Sequence, residues 1–297
     1  MPSPLTSWTW DPAQLLLIAA AAFLYYRRAH TLAARGTPVP AWRRLVFALG
    51  LALAFLAVAS PIHELGEREF FFVHMLQHIL LGDLAPLCMV AGLTGPILRP
   101  VLAIPLFQRL RFLAHPLVAF PLWAVNLYLW HLAGPHEAAV RHAGLHAFQH
   151  MSFVLFGANM WMALLGPLPK PAWFGNLAKL VYIIAVRLTG AILGNVFVFG
   201  GHAFYDVYAA GERAHGISAL GDQNAAGAIM MIEGSFLTIG LFAWLFARTA
   251  REGEERQELL DLAQARGYDL TEQRAARAVS AGRGADLKSR ILAGGSE

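Results

Sequence analysis

Apolar residues fall in seven long blocks, separated by polar segments that hold most of the charges. Most blocks approach the ~20 residues that a helix needs to cross a lipid bilayer. Inside lipid every backbone polar group must find its partner within the protein, and a helix meets that need within one segment. The pattern therefore predicts an all-α integral membrane protein, a seven-transmembrane-helix bundle, with spans near residues 15–26, 45–60, 70–93, 117–131, 146–165, 180–199 and 225–246.

The composition supports this class over a soluble one. Hydrophobic residues make up 57% of the 297 residues and charged residues only 14%, with a mean hydropathy of +0.49. Soluble domains hold about a quarter of charged residues, so an aqueous globular domain is excluded as the working class. The single cysteine, Cys88, rules out an internal disulfide framework.

Basic residues are distributed unevenly between the two sides of the predicted bundle. The first, third and fifth loops hold ten of them, and the N-terminus and the intervening loops hold three. Because loops rich in Lys and Arg stay in the cytoplasm, we expect the N-terminus outside and the C-terminus inside. The net charge of +4 then reports orientation, and no nucleic-acid partner is expected. The ten residues are Arg27, Arg28, Arg35, Arg43, Arg44, Arg99, Arg109, Arg111, Lys170 and Lys179.

The chain becomes polar after Arg248. Residues 251–297 are rich in Glu, Arg, Gln and Ala and carry a weak apolar stripe at helical spacing that includes Leu259 and Ala263. They are predicted to form a cytoplasmic polar helical tail behind a seven-span membrane domain of residues 1–250.

Histidine is the unusual residue type, because ten of the twelve lie in or near the predicted outer half. Ionisable side chains are costly in a membrane and tend to be functional there. We therefore expect the chemistry on the outer side. The ten are His63, His74, His78, His131, His136, His142, His146, His150, His202 and His215.

Four of these histidines form two pairs with the same spacing. His74 and His78 lie on the third span, and His146 and His150 on the fifth. A separation of four residues places two rings on one helix face, one turn apart. At a rise of 1.5 Å per residue, both pairs lie ~7 and ~13 Å from the outer ends of their spans. Two helices thus offer four imidazoles in one layer, which favours a metal site over the alternative, hydrogen bonding between helices.

Other polar residues in the spans are candidates to complete the site. Glu233 lies ~13 Å into the last span, where it is a ligand, a hydrogen-bond acceptor for an imidazole, or the partner of a buried cation. His131 and Asp222 lie at the outer ends of their helices. Asp83 and Arg187 lie deeper, at ~20 Å, and are predicted to form an ion pair, with Glu233–Arg187 as the competing pair.

Several segments resemble one known family. They are the run from His74 to Leu81, Ala85-Pro86-Leu87, His115-Pro116-Leu117-Val118, Leu129-Trp130-His131-Leu132, the run from His146 to Phe153, and Asp222-Gln223 with Gly227-Ala228-Ile229-Met230. In this order they are similar to the motifs of the CtaG family of multispanning cytochrome c oxidase assembly factors, over about residues 71–246.

The resemblance implies a bacterial inner-membrane protein that helps to mature a haem-copper oxidase, by helping copper to reach it, without catalysing a reaction. Carried over position by position, it points to His74, His78, His131, His146, His150 and Asp222.

The leading hypothesis is a copper ion held by His74, His78, His146 and His150 at the outer mouth, with Glu233 or His131 tuning it. Imidazole suits copper but does not exclude zinc, iron or nickel. The ion would pass to a periplasmic copper chaperone or to a subunit of the oxidase.

Three alternatives stay open. The first is a redox protein with a bis-His haem. The second is a metal or proton transporter that uses the polar residues from Glu233 to Asp83 and Arg187. The third is a metal-dependent membrane enzyme with Glu233 as acid or base.

Overall fold

A computed structural model describes residues 7–294, and all regular secondary structure in this range is helical. We label the α-helices α1 to α15 in chain order. Two short segments of other helix types interrupt them, a π turn at Leu80–Leu84 between α4 and α5 and a 3-10 turn at Arg111–Ala114 between α7 and α8. The α-helices are Pro12–Ala34, Ala41–Ala59, Pro61–Arg68, Phe71–Ile79, Ala85–Gly92, Gly95–Leu102, Pro105–Leu110, Pro116–Trp130, Ala133–Arg141, Ala143–Leu164, Asn176–Phe199, Ala209–Ala214, Ala219–Ala265, Glu272–Ser280 and Gly284–Leu292.

Each predicted span falls on helical structure, the third of them on α4, the π turn and α5 together. Within residues 7–294, four helical segments are long and apolar enough to cross a membrane, and a fifth crossing is possible if the pair Pro105–Ala114 and Pro116–Trp130, bent by 80°, counts as one span. By this criterion the structure contains four or five of the seven predicted spans. The helices α1 and α10, which carry the first and fifth predicted spans, do not meet it. In α10 the polar residues His146, Gln149 and His150 reduce the hydropathy. The four segments are Ala41–Ala59, Phe71–Gly92, Asn176–Phe199 and Ala219–Ala265.

The chain divides into two compact units, with the division between Phe236 and Leu237. The first unit contains α1 to α12 and the beginning of α13. The second contains the rest of α13 with α14 and α15, which bury a small core of Leu259, Ala263, Val279, Leu287 and Ile291. This unit begins within the last apolar span, and α14 and α15 lie within residues 251–297.

The π turn after α4 has a local cause in the sequence. Pro86 has no N–H to donate and its ring crowds the carbonyl four residues earlier, that of Gly82. The backbone responds with a wider turn, in which the N–H of Ala85 donates to the carbonyl of Leu80. A π turn inside an α-helix is rare and frequently marks a functional site.

The helix α10 packs directly on this π turn because both contact points are glycines. A Cβ added to Gly157 would overlap the carbonyl oxygen of Gly82, and a Cβ on Gly82 would lie 3.2 Å from the ring of Phe153. Without side chains at these two positions, the backbones of α4, the π turn and α10 approach closely. This approach brings the two histidine pairs next to each other.

The short helix α3 folds back beside α4. Its N-terminus is set by Ser60 and Pro61, the N-cap residue and the first helical residue. A Cβ on Gly66 would lie 3.0 Å from Cα of His74, so this glycine permits α3 to lie against α4. The side chains of His63 and Glu67 thereby reach the same layer as the histidine pairs.

Candidate metal centre

Seven histidine rings form one connected cluster in the first unit, and all are at most 8% exposed. Neighbouring ring centroids lie between 4.0 and 6.4 Å apart. They come from α3, α4, the C-terminal end of α8, α9 and α10. The members are His63, His74, His78, His131, His136, His146 and His150.

The pair on α4 has one defined tautomer. Nδ1 of His74 lies 3.1 Å from the carbonyl oxygen of Gly66. A carbonyl only accepts, so this nitrogen carries the proton and donates it, and the lone pair of His74 is on Nε2. That Nε2 lies 2.8 Å from Nε2 of His78. With its lone pair on Nε2, His74 accepts a hydrogen bond from Nε2–H of His78. An ion that replaced this proton would be within reach of both nitrogens after a small adjustment of the rings.

The pair on α10 is oriented by a carboxylate from α3. Nδ1 of His146 donates a hydrogen bond to Oε1 of Glu67, which leaves the lone pair on Nε2. This Nε2 is buried and has no hydrogen-bond partner among residues 7–294, and the same holds for both ring nitrogens of His150. Histidine ligands in metal proteins are oriented in the same way: one ring nitrogen donates to a carboxylate, and the other nitrogen binds the ion.

Among residues 7–294, two groups of three side chains are close enough together to hold a metal ion. In each, the ligand atoms lie within 4.8 Å of one another. One group is His74, His78 and His146, which we call the inner triad, and the other is His63, Glu67 and His146, the outer triad. His146 belongs to both. The ring of His150 lies 4.0 Å from that of His146 and 5.9 Å from that of His78, beside the inner triad.

The two remaining histidines of the cluster, His131 and His136, have hydrogen-bond partners outside the two triads. Nδ1 of His131 lies 2.6 Å from the carbonyl oxygen of Leu127, and its Nε2 lies 3.3 Å from the sulfur of Met75. The Nε2 of His136 lies 2.9 Å from the hydroxyl of Tyr208. His131 is therefore next to the site, with a ring centroid 5.8 Å from that of His78.

Burial keeps the imidazoles of His136 and His63 neutral. It lowers the pKa of His136 far below its ordinary value, and the neighbouring His131 lowers it further. Burial also lowers the pKa of His63, although the charge of Glu67 opposes this. For Glu67, burial acts to raise the pKa, but the hydrogen bond from His146 and the charge of His63 outweigh it, so the pKa is lowered. Neutral imidazole and ionised carboxylate are the forms that bind metal ions.

Asp222 lies at the N-terminus of α4 and not against the inner triad. Its two carboxylate oxygens accept hydrogen bonds from the backbone amides of Phe71 and Phe72, both at 2.8 Å. It thus caps the helix that carries His74 and His78. The N-cap residue of this helix is Phe70, whose side chain has no atom that can accept a hydrogen bond.

Glu233 pairs with Arg187 instead of an imidazole, with 3.7 Å between Oε1 and Nη1. The predicted ion pair of Asp83 and Arg187 is confirmed at 2.8 Å. The indole N–H of Trp161 donates to Asp83 at 2.9 Å. Both pairings that the sequence suggested for Arg187 are therefore present at once.

The sequence pattern did not single out Glu67, His63 or His136 as site residues. His63 and Glu67 have the same four-residue spacing as the two histidine pairs and come directly before the first of them. This spacing is the signal in the sequence that could have identified the outer triad. Nothing local marks His136, which reaches the cluster through the fold.

Comparison with known proteins agrees with the motifs. Residues 23–252 match the family model described as cytochrome c oxidase caa3 assembly factor (Caa3_CtaG). Uncharacterized protein Mb0105 of Mycobacterium bovis and uncharacterized protein MT0111 of Mycobacterium tuberculosis are each 26% identical over 214 residues, 64% of this chain. Uncharacterized protein ML1998 of Mycobacterium leprae is 26% identical over 192 residues, 59% of this chain. The matches span about a third of the length of these relatives, 31%, 31% and 28%. No solved structure matches the chain.

Proposed function

Because the match covers more than half of the chain, this protein belongs to the family of cytochrome c oxidase caa3 assembly factors, and we propose that its part in assembly is to bind copper and deliver it to a haem-copper oxidase. The ion is cargo, and the protein is not an enzyme. The inner triad of His74, His78 and His146, with His150 beside it, holds the ion. The recipient is an oxidase subunit or a periplasmic copper chaperone.

One observation carries this proposal: a buried layer of imidazoles with unpartnered nitrogens. Within the part of the chain that the structure describes, four ring nitrogens have no hydrogen-bond partner: His78 Nδ1, His146 Nε2 and both nitrogens of His150. Buried polar atoms without partners are costly, so a bound ion that uses some of them accounts for their retention. Imidazole is a ligand type that copper prefers.

The arrangement also suits release. Three or four neutral imidazoles bind copper without the thiolates that would hold it in a closed cage. The free thiol of Cys88 is on α5, beyond the π turn from the histidine layer. Delivery to a partner needs a site that binds the ion without such thiolates.

We further propose that the chain is a seven-span protein of the bacterial inner (plasma) membrane with the N-terminus outside. The seven apolar blocks, each on a helix, support the number of spans. The ten basic residues of the odd-numbered loops support the orientation. With this topology the histidine cluster faces the periplasm, where its recipient is accessible.

Metal analysis of the full chain, purified in detergent without chelator, tests the proposal. We expect copper to co-purify or to bind on titration. The variant His74→Ala/His78→Ala is expected to retain no copper through purification and to bind added copper much more weakly, and His202→Ala, at an exposed outer histidine, is the matched control. Absence of copper both after purification and after titration would refute the copper function and leave the family membership unaffected. A Soret band in the same sample would instead identify a bis-His haem protein.

A further inference from the structure

We propose that the outer triad is a second copper site, where the ion binds first and from which it passes to the inner triad with His146 as the shared ligand. This inference rests on the proposed function, since it concerns how the same ion reaches its site. It assigns metal-binding roles to His63 and Glu67.

The geometry of His146 is the first argument. One of its ring nitrogens lies within 4.8 Å of ligand atoms of His74 and His78, and one lies within 4.8 Å of ligand atoms of His63 and Glu67. A neutral imidazole has one lone pair and binds one ion at a time. The two triads are therefore alternative positions of a single ion, and not two sites filled together.

The second argument is the change in exposure between the two triads. The side chain of Glu67 is 25% exposed, whereas His63 is 7% exposed and His74 is fully buried at 0%. An ion arriving from water meets Glu67 first. The carboxylate also supplies a negative charge, which attracts a cation to the mouth of the site.

The ligand types give the transfer a direction. The outer triad offers a carboxylate and two imidazoles, and the inner triad offers three imidazoles. Carboxylates suit harder ions, and imidazole suits copper. Moving inward breaks the bonds to His63 and Glu67, forms bonds to His74 and His78, and leaves the oxidation state of copper unchanged. After transfer Glu67 accepts the hydrogen bond of His146 Nδ1, as it does in the structure.

His150 provides the third argument, because both of its ring nitrogens are buried without a partner. Its ring centroid lies 6.3 Å from that of His63 and 5.9 Å from that of His78. It is next to both triads. The free imidazole of His150 can therefore bind the ion while its bonds to the residues of the outer triad are replaced by bonds to those of the inner triad.

The experiment compares Glu67→Gln with Glu64→Gln in the full chain in detergent. Glu64 is on the same helix and pairs with the exposed Arg68, outside the cluster. Uptake of Cu²⁺ from a coloured chelator is followed by stopped flow, and bound copper is measured at equilibrium. We expect Glu67→Gln to retain its copper but load it at least about tenfold more slowly. Glu64→Gln should load at the wild-type rate, and His63→Ala should repeat the slow loading.

A second variant isolates the outer triad. In His74→Ala/His78→Ala we expect residual, weaker Cu²⁺ binding with an oxygen ligand visible by electron paramagnetic resonance, and its loss when Glu67→Gln is added. A Glu67 that only orients His146 would not produce this signal. If the double variant binds no Cu²⁺ and Glu67→Gln loads normally, the outer site is refuted while copper binding stands. If the wild-type chain binds no copper, the proposed function itself has failed.

Discussion

At the scale of single residues, the site is defined by which ring nitrogen carries a proton. The carbonyl of Gly66 takes the proton of His74 Nδ1, and the carboxylate of Glu67 takes that of His146 Nδ1. Both rings therefore keep their lone pair on Nε2. In His74 this nitrogen lies beside His78, and in His146 it has no hydrogen-bond partner within residues 7–294. Such outer contacts orient metal-binding histidines and hold them ready for an ion.

The buried neutral state of His136 predicts a dependence of stability on pH. Its pKa is far below the ordinary value in the folded protein, whereas in the unfolded chain it returns to about 6.5. Below that pH the unfolded chain binds the extra proton, so the free energy of unfolding decreases as the pH falls. We expect the unfolding temperature in detergent to fall between about pH 7.5 and 5.

The variant His136→Gln tests whether this residue contributes to that slope. It should reduce the slope by up to ~1.4 kcal/mol per pH unit, the value for one proton. The exposed His202→Ala is the control, and its slope should equal that of the wild type. Equal slopes in all three proteins would contradict a neutral buried His136.

At the scale of helices, small residues decide where the functional side chains meet. Gly157 and Gly82 allow α10 to pack on the π turn, and Gly66 allows α3 to pack on α4. The two histidine pairs and the outer triad come together through these close backbone approaches. The cap that Asp222 gives α4 then holds the first turn of the helix that carries His74.

Replacing Gly157 by Ala should separate the two histidine pairs. The new Cβ overlaps the carbonyl of Gly82, and overpacking of this kind costs ~1–3 kcal/mol. We expect a lower unfolding temperature and weaker copper binding. Gly144→Ala on the same helix meets nothing within 4 Å and is the matched control. Wild-type copper affinity in Gly157→Ala would mean that this approach does not position the site.

Replacing Asp222 distinguishes a helix cap from a metal ligand. Loss of the cap in Asp222→Ala should lower the free energy of unfolding by ~0.5–2 kcal/mol. The variant Asp222→Asn, which retains an acceptor oxygen, should lose less, and both should retain copper. The measurements are thermal unfolding and bound metal in parallel. Loss of copper from Asp222→Asn at unchanged stability would instead make Asp222 a ligand.

At the scale of the whole molecule, the chain combines a membrane unit that contains the histidine cluster with a second unit of polar helices. The second unit has its own small core around Leu259 and Ile291. In the proposed topology the histidine cluster lies towards the periplasm.

This topology predicts the behaviour of reporters fused to the C-terminus. A fluorescent protein that folds only in the cytoplasm should be bright there, and alkaline phosphatase, which needs the periplasm, should be inactive. Phosphatase fused after the exposed His202, which follows the sixth predicted span and is predicted to be outside, should be active and serves as the control. Active phosphatase at the C-terminus would require a different number of spans or the opposite orientation.

Much of this protein follows from sequence alone, because hydropathy and helical period are local properties. The apolar blocks determined the membrane class and the helices, and the four-residue spacing determined that His74 and His78, like His146 and His150, share a helix face. The charges at Asp83 and Arg187 implied an ion pair, because an isolated charge in lipid is costly.

Only the tertiary structure decided which of these residues meet. Asp222 is 150 residues from the amide of Phe72 that it caps, and Glu67 is 79 residues from His146. Such contacts depend on the close backbone approach that glycines permit at a few points along the helices, and no local pattern in the sequence specifies which helix will lie there. For that reason the sequence predicted one histidine layer, and the fold added Glu67 and His63 as an outer triad.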